Sequence, residues 1–109
     1  MDIQREKLYR ELESRIGNTP ILKLSLHLPY GNRIFVKEEF RNPTGSHYDR
    51  VYIHLLKEIE KEGKIVPGVT PLIETSSGNA GSSFAWLCRE LGYQAEVIVP
   101  EGLDRKSVV

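Results

Sequence analysis

The chain has 109 residues, with Lys plus Arg and Asp plus Glu balanced at 15 each, so it holds one domain at most and no net field directs it to nucleic acid or an anionic membrane surface. A single cysteine, Cys88, excludes an internal disulfide and fits a reducing compartment, which makes the cytoplasm the default expectation. No apolar run approaches the roughly 20 residues of a membrane span, and the charged stretch from Asp2 to Arg15 is unlike a secretory signal.

Leu8, Tyr9, Leu12 and Ile16 fall on one face of a short amphipathic helix over 3–16, stopped by Gly17-Asn18. Leu22, Leu24 and Leu26 then alternate with Lys23 and Ser25, the pattern of a half-buried strand. A turn at Pro29-Tyr30-Gly31-Asn32 leads to a second strand, Ile34 to Glu38, able to pair with the first. Next comes Asn42-Pro-Thr-Gly-Ser-His-Tyr-Asp-Arg50, a sharp turn that opens a helix. Ser46 and Asp49 read as a variant capping box, and Tyr48, Val51, Tyr52, Leu55 and Ile59 recur at helical spacing from about Ser46 to Glu62. Pro71 to Val99 reads as one strand, helix, strand unit with a right-handed crossover, in which Phe84, Leu87, Cys88 and Leu91 share the buried helix face. Another helix begins from Leu103.

The fold class is therefore α/β, a partial three-layer α/β/α arrangement with a parallel βαβ unit. A parallel unit needs neighbouring strands and both sheet faces covered, and so few are encoded here that a fragment or truncated product is expected.

Ligands of open parallel sheets collect beyond the carboxyl ends of the strands, where a helix N-terminus offers free amides and partial positive charge. Thr75-Ser76-Ser77-Gly78-Asn79-Ala80-Gly81 occupies that place, and its small, hydroxyl and amide groups suit a carboxylate or phosphate. A small-residue turn of this kind is also a common structural helix cap. His47 and His54 have no second ligand spaced for a metal, so no metal site is expected. Cys88 is expected in the core.

Taken together, the blocks resemble the start of the fold-type II pyridoxal-phosphate enzymes, the cysteine synthase and tryptophan synthase β-like family. Ile16-Gly17-Asn18-Thr19-Pro20 is similar to that family's opening motif, and Lys37 and Glu39 to the strand before its Asn-Pro-Gly/Thr-Gly-Ser-x-Lys-Asp-Arg loop. Asn42 to Ser46, Asp49 and Arg50 fit that loop; Ser76 to Gly81 fits the family's Ser-Gly-Asn loop, and Val97 to Glu101 its Val-x-x-Pro-Glu ending. The resemblance implies one domain over 1–109, with the first strands over about 16–42 and the start of the small lobe over about 43–109. It implies β-replacement or β-elimination on serine-type amino acids, with pyridoxal phosphate as cofactor and a small amino acid as substrate. Asn79 would bond the cofactor's ring hydroxyl, and Ser76, Ser77, Gly78, Asn79 and Ala80 would hold the substrate carboxylate.

Tyr48 stands where the resemblance places the lysine that forms the Schiff base with the cofactor. A phenol cannot form an imine, so covalent binding is not expected. Lys37, on a strand before the loop, is poorly placed to substitute. Family members run to about 300 residues, more than one small domain, and their phosphate-binding loop lies in the later part. The chain is thus expected to be inactive alone. The alternative is a non-catalytic module that binds an amino-acid carboxylate or a partner chain, with a homodimer one form of that partnership.

Overall fold

The computed structural model of the protein describes residues 1–101; the helix expected from Leu103 lies outside the described residues. Its elements run α1 (Ile3–Arg15), β1 (Ile21–Lys23), β2 (Phe35–Lys37), α2 (Tyr48–Lys61), β3 (Leu72–Thr75), α3 (Asn79–Leu91) and β4 (Ala95–Ile98). Short helical turns at Pro29–Gly31 and Glu39–Arg41 mark the corners before and after β2.

Asp2 caps α1 by accepting from the Arg5 amide at 2.8 Å, and Gly17 and Asn18, both at positive φ, end it as expected. Tyr9, Leu12 and Ile16 are buried, and Leu8 packs at the margin. α3 ends at Gly92, a left-handed C-cap.

The core is helical. Tyr9 and Leu12 of α1 meet Tyr52, Ile53 and Leu56 of α2 and Phe84, Leu87, Cys88 and Leu91 of α3. Leu12, Leu56, Leu87 and Leu91 are essentially inaccessible, each contributing roughly 2 kcal/mol of apolar burial. Cys88 lies in this core as expected, and burial pushes its thiol up to about 11, so it is not a reactive thiolate at neutral pH.

β3 and β4 pair in parallel, from Leu72 opposite Ala95 to Thr75 opposite Ile98, with α3 crossing between them. This is the βαβ unit expected over 71–99. β1 and β2 form a separate antiparallel ribbon in which Leu22 opposes Val36. No helix among the described residues is long and apolar enough to cross a membrane.

Three expectations are corrected. The ribbon is not half-buried: every residue of β1 and β2 is exposed, because alternation encodes two faces but not a layer to cover one. The buried face of α2 is Asp49, Tyr52, Ile53 and Leu56, whereas Val51 and Leu55 remain 48% and 44% exposed. Two apolar stripes about one residue apart exist on this helix, and packing against α1 and α3 selects the one carrying Asp49. The capping box is also absent. His47 occupies the N-cap position without a side-chain bond, Ser46 Oγ accepts a long 3.3 Å bond from the Tyr48 amide, and Asp49 turns back to Thr44.

Candidate functional site

Two loops meet at the N-termini of α2 and α3. The first is fixed by side chains that bond backbone. Asn42, buried, accepts from the Gly17 amide at 2.8 Å and donates to the Glu39 carbonyl at 2.9 Å, while its own carbonyl accepts from Gly45, whose φ of 90° demands glycine. Asp49, fully buried, accepts from Thr44 N at 2.8 Å, Thr44 Oγ1 at 2.5 Å and Ser83 Oγ at 2.6 Å. One carboxylate thereby ties the loop, the start of α2 and the middle of α3 together.

A second brace lies outside it. Glu39 accepts from Arg50 Nε at 2.5 Å, from Arg50 Nη2 at 3.0 Å and from the Thr19 hydroxyl. The Arg50 and Thr19 bonds hold the Glu39 carboxyl down to about 2. Arg50 also lies against Gly17, where a Cβ would sit 2.9 Å from Nη1, so Gly17 is needed for close approach as well as for its φ. Neither brace was foreseen. All but Ser83 stand in the motifs, but the pairings that join separate elements, from Arg50 to Glu39 up to Ser83 to Asp49, span 11 to 34 positions and leave no periodic trace.

The frame holds Tyr48 at the first position of α2. Its ring stacks on His47, with centroids 4.3 Å apart, and lies 6.5 Å from Tyr52, whose ring is 5.6 Å from Phe84. Tyr52 donates its hydroxyl to Glu74 at 3.0 Å, and burial together with this carboxylate pushes the phenol up to about 12.

The second loop follows β3. Ser76 extends the sheet by donating its amide to the Ile98 carbonyl, and its buried hydroxyl accepts from the amides of Gly81 at 2.7 Å and Gly78 at 3.1 Å. That hydroxyl is therefore a cap for α3, not a free donor for a ligand. Gly81 permits the arrangement: a Cβ there would lie 2.9 Å from Val97 Cγ1 and 3.0 Å from Ser76 Cβ. With Ser76 occupied, the amides of Ser77, Asn79 and Ala80 bond nothing among the described residues.

Tyr48 and the second loop share one cleft of about 580 Å³, lined by Tyr48, Thr75, Ser76, Ser77, Gly78, Asn79 and Ala80. Every site residue singled out from the sequence is in that wall. Its chemistry is neutral: hydroxyls, one carboxamide, one phenol and backbone amides at the positive end of a 13-residue helix. Among the described residues no lining side chain carries an amine or a positive charge. Lys37 sends its Nζ to the Thr19 carbonyl at 2.7 Å. Among the described residues no group of three His, Cys, Asp or Glu side chains is arranged to hold a metal.

Residues 12–108 match the sequence family described as pyridoxal-phosphate dependent enzymes. Cysteine synthase B of Salmonella typhimurium is 41% identical over 96 residues, which are 87% of this chain and 31% of that protein. Among solved structures, a hydrogen sulfide-producing enzyme of Fusobacterium nucleatum superposes with a TM-score of 0.78 at 35% identity over 94% of this chain and 31% of its own. An O-acetylserine-dependent cystathionine β-synthase of Helicobacter pylori gives 0.77 at 31% identity over 88% of this chain and 32% of its own. The chain thus spans about a third of the length of these relatives.

Proposed function

Since the chain belongs to the pyridoxal-phosphate-dependent enzyme family, with its similarity centred on the cysteine synthases, we propose that its cleft binds the carboxylate of a small amino acid without covalent cofactor chemistry. The observation that carries this is the coexistence, in one cleft, of three amides at the N-terminus of α3 that bond nothing among the described residues and a phenol where the family places an amine. An anion at that helix end receives charge-assisted bonds from amides that need no rearrangement, and the helix dipole adds about 0.3–1 kcal/mol. Ser77 and Asn79 are exposed at the cleft and supply adaptable donors, and Tyr48, its ring stacked on His47, lines the same cleft.

Pyridoxal phosphate supplies an electron sink to amino-acid chemistry when it is bound. The donor set here does not fit it as a covalently held group. Among the described residues the wall offers no amine for its aldehyde and no cation for its phosphate, and Lys37 is engaged with a backbone carbonyl at the base of the ribbon. No catalytic step is therefore assigned. The serine-type amino acids named for the relatives set the ligand class proposed for this chain.

Incubation with pyridoxal phosphate, borohydride reduction and intact-mass measurement tests the covalent half of the reading. The expected result is no stoichiometric adduct, only low scattered labelling of surface lysines. A full adduct mapped to one lysine, Lys37 included, would overturn it.

A further inference from the structure

Two residues of the cleft wall, Tyr48 and Thr75, are each joined in sequence to a carboxylate that no lysine or arginine neutralises. Asp49 follows Tyr48 on α2, is fully buried, and takes its three bonds from neutral donors on Thr44 and Ser83. Glu74 precedes Thr75 on β3 and accepts from the Thr75 amide at 2.9 Å and from the Tyr52 hydroxyl at 3.0 Å. The Tyr52 ring in turn lies 6.5 Å from that of Tyr48. Neither carboxylate forms an ion pair among the described residues. The Tyr48 ring is half-buried and held by its stack on His47, and its hydroxyl bonds nothing among the described residues.

The cleft thus has two unlike poles. Amide N–H groups at the start of α3 suit an anion, whereas the phenol, with Asp49 and Glu74 close by, suits a cation. A ligand with a carboxylate alone would bring a third negative charge to a region that holds two without a paired cation. A zwitterion brings its own compensation. Its ammonium group is attracted by the two carboxylates, can donate to the free phenol oxygen, and is drawn to the negative face of an aromatic ring.

Resting on the carboxylate reading above, we infer that the cleft selects zwitterionic α-amino acids over plain carboxylic acids, with Tyr48 meeting the ammonium group and Glu74 attracting it through charge. Tyr48 is then a specificity-determining residue. Selection has an attractive and a repulsive side, because the same carboxylates that favour an amino acid disfavour an acid that lacks the ammonium group.

L-Glycerate is L-serine with a hydroxyl in place of the ammonium group, so it keeps the carboxylate and the hydroxymethyl arm. In titrations of the full chain followed at the Ser77, Asn79 and Ala80 amides, L-serine should bind about tenfold more tightly than L-glycerate. Glu74→Gln keeps the volume and an acceptor for the Tyr52 hydroxyl but removes the charge. It should move the two ligands in opposite directions, L-serine about threefold weaker and L-glycerate about threefold tighter. Tyr48→Leu removes the hydroxyl and the ring, and should weaken L-serine alone by about threefold. Local disorder would weaken both ligands together, so opposed shifts separate recognition from support. Equal affinity for the two ligands, a preference for L-serine that survives both substitutions, or parallel weakening of both in Glu74→Gln would overturn the inference and leave carboxylate binding standing. Saturable binding of neither ligand up to about 50 mM would overturn both.

Discussion

Replacing Asp49 with alanine is expected to lower the unfolding free energy by about 3 kcal/mol, measured by urea denaturation. The carboxylate has no exposed surface and accepts from the Thr44 amide, the Thr44 hydroxyl and the Ser83 hydroxyl. Its loss leaves Ser83, itself fully buried on α3, without an acceptor, and releases the turn that presents Tyr48. Orphaned buried donors account for most of the loss, at about 1–3 kcal/mol each. Asp49→Asn keeps the volume and one good acceptor but points an amide N–H at a donor, so about half of the alanine effect is expected. An alanine variant as stable as the parent would show that Asp49 does not brace the loop.

The comparable change elsewhere is Glu60→Ala, with an expected loss of about 3 kcal/mol. Glu60 Oε1 accepts from Arg5 at 2.7 Å, Tyr93 at 2.7 Å and Tyr9 at 2.9 Å, and Oε2 accepts from Arg5 Nε at 3.0 Å. Its side chain is 6% exposed and that of Arg5 20%, so this pair is not a solvent-screened surface bridge. Truncation leaves a guanidinium and two phenols facing an empty site. Burial pushes the Glu60 carboxyl up, but its hydrogen bonds from Arg5, Tyr93 and Tyr9 outweigh this and hold it below the ordinary 4.5.

A lowered carboxyl stabilises the fold above its unfolded value, and the contribution fades as pH falls from 4.5 through the lower folded value. Tyr9 and Tyr93 are raised above the ordinary 10, chiefly by burial and then by Glu60, so their contribution is present below pH 10 and fades as pH rises through the folded values. Stability carried by this cluster should be level between those limits. The alanine variant should lose the acid limb due to Glu60; a parallel pH profile for parent and variant would contradict the assignment.

These two carboxylates show where sequence reading reached its limit. Glu60 lies on the polar side of a helical repeat and meets partners 33 to 55 residues away, which no local pattern announces. Asp49 was visible, but its spacing from Ser46 suggested a local cap; the three-dimensional route to Ser83 takes precedence because it satisfies a buried hydroxyl as well. The α3 face was legible because Phe84, Leu87, Cys88 and Leu91 form the only long apolar stripe on that helix. On α2 two adjacent stripes competed, and packing decided between them. The cleft was legible for a different reason. A strand, a small-residue turn and a helix start in succession place amides at one point, and Tyr48 with Ser76 to Ala80 do line one wall. What the pattern did not reveal is that the Ser76 hydroxyl is consumed by capping the Gly81 and Gly78 amides, which leaves Ser77, Asn79 and Ala80 to meet a ligand.

Carboxylate recognition depends on that division of labour, and amide chemical shifts of the nitrogen-15-labelled chain during titration with L-serine test it most directly. Saturable shifts are expected at Ser77, Asn79 and Ala80, with a Kd of the order of 1 mM for so few contacts, and none with serinamide, which lacks the carboxylate. Silence at these amides up to about 20 mM L-serine, or equal shifts with serinamide, would contradict carboxylate recognition at the N-terminus of α3.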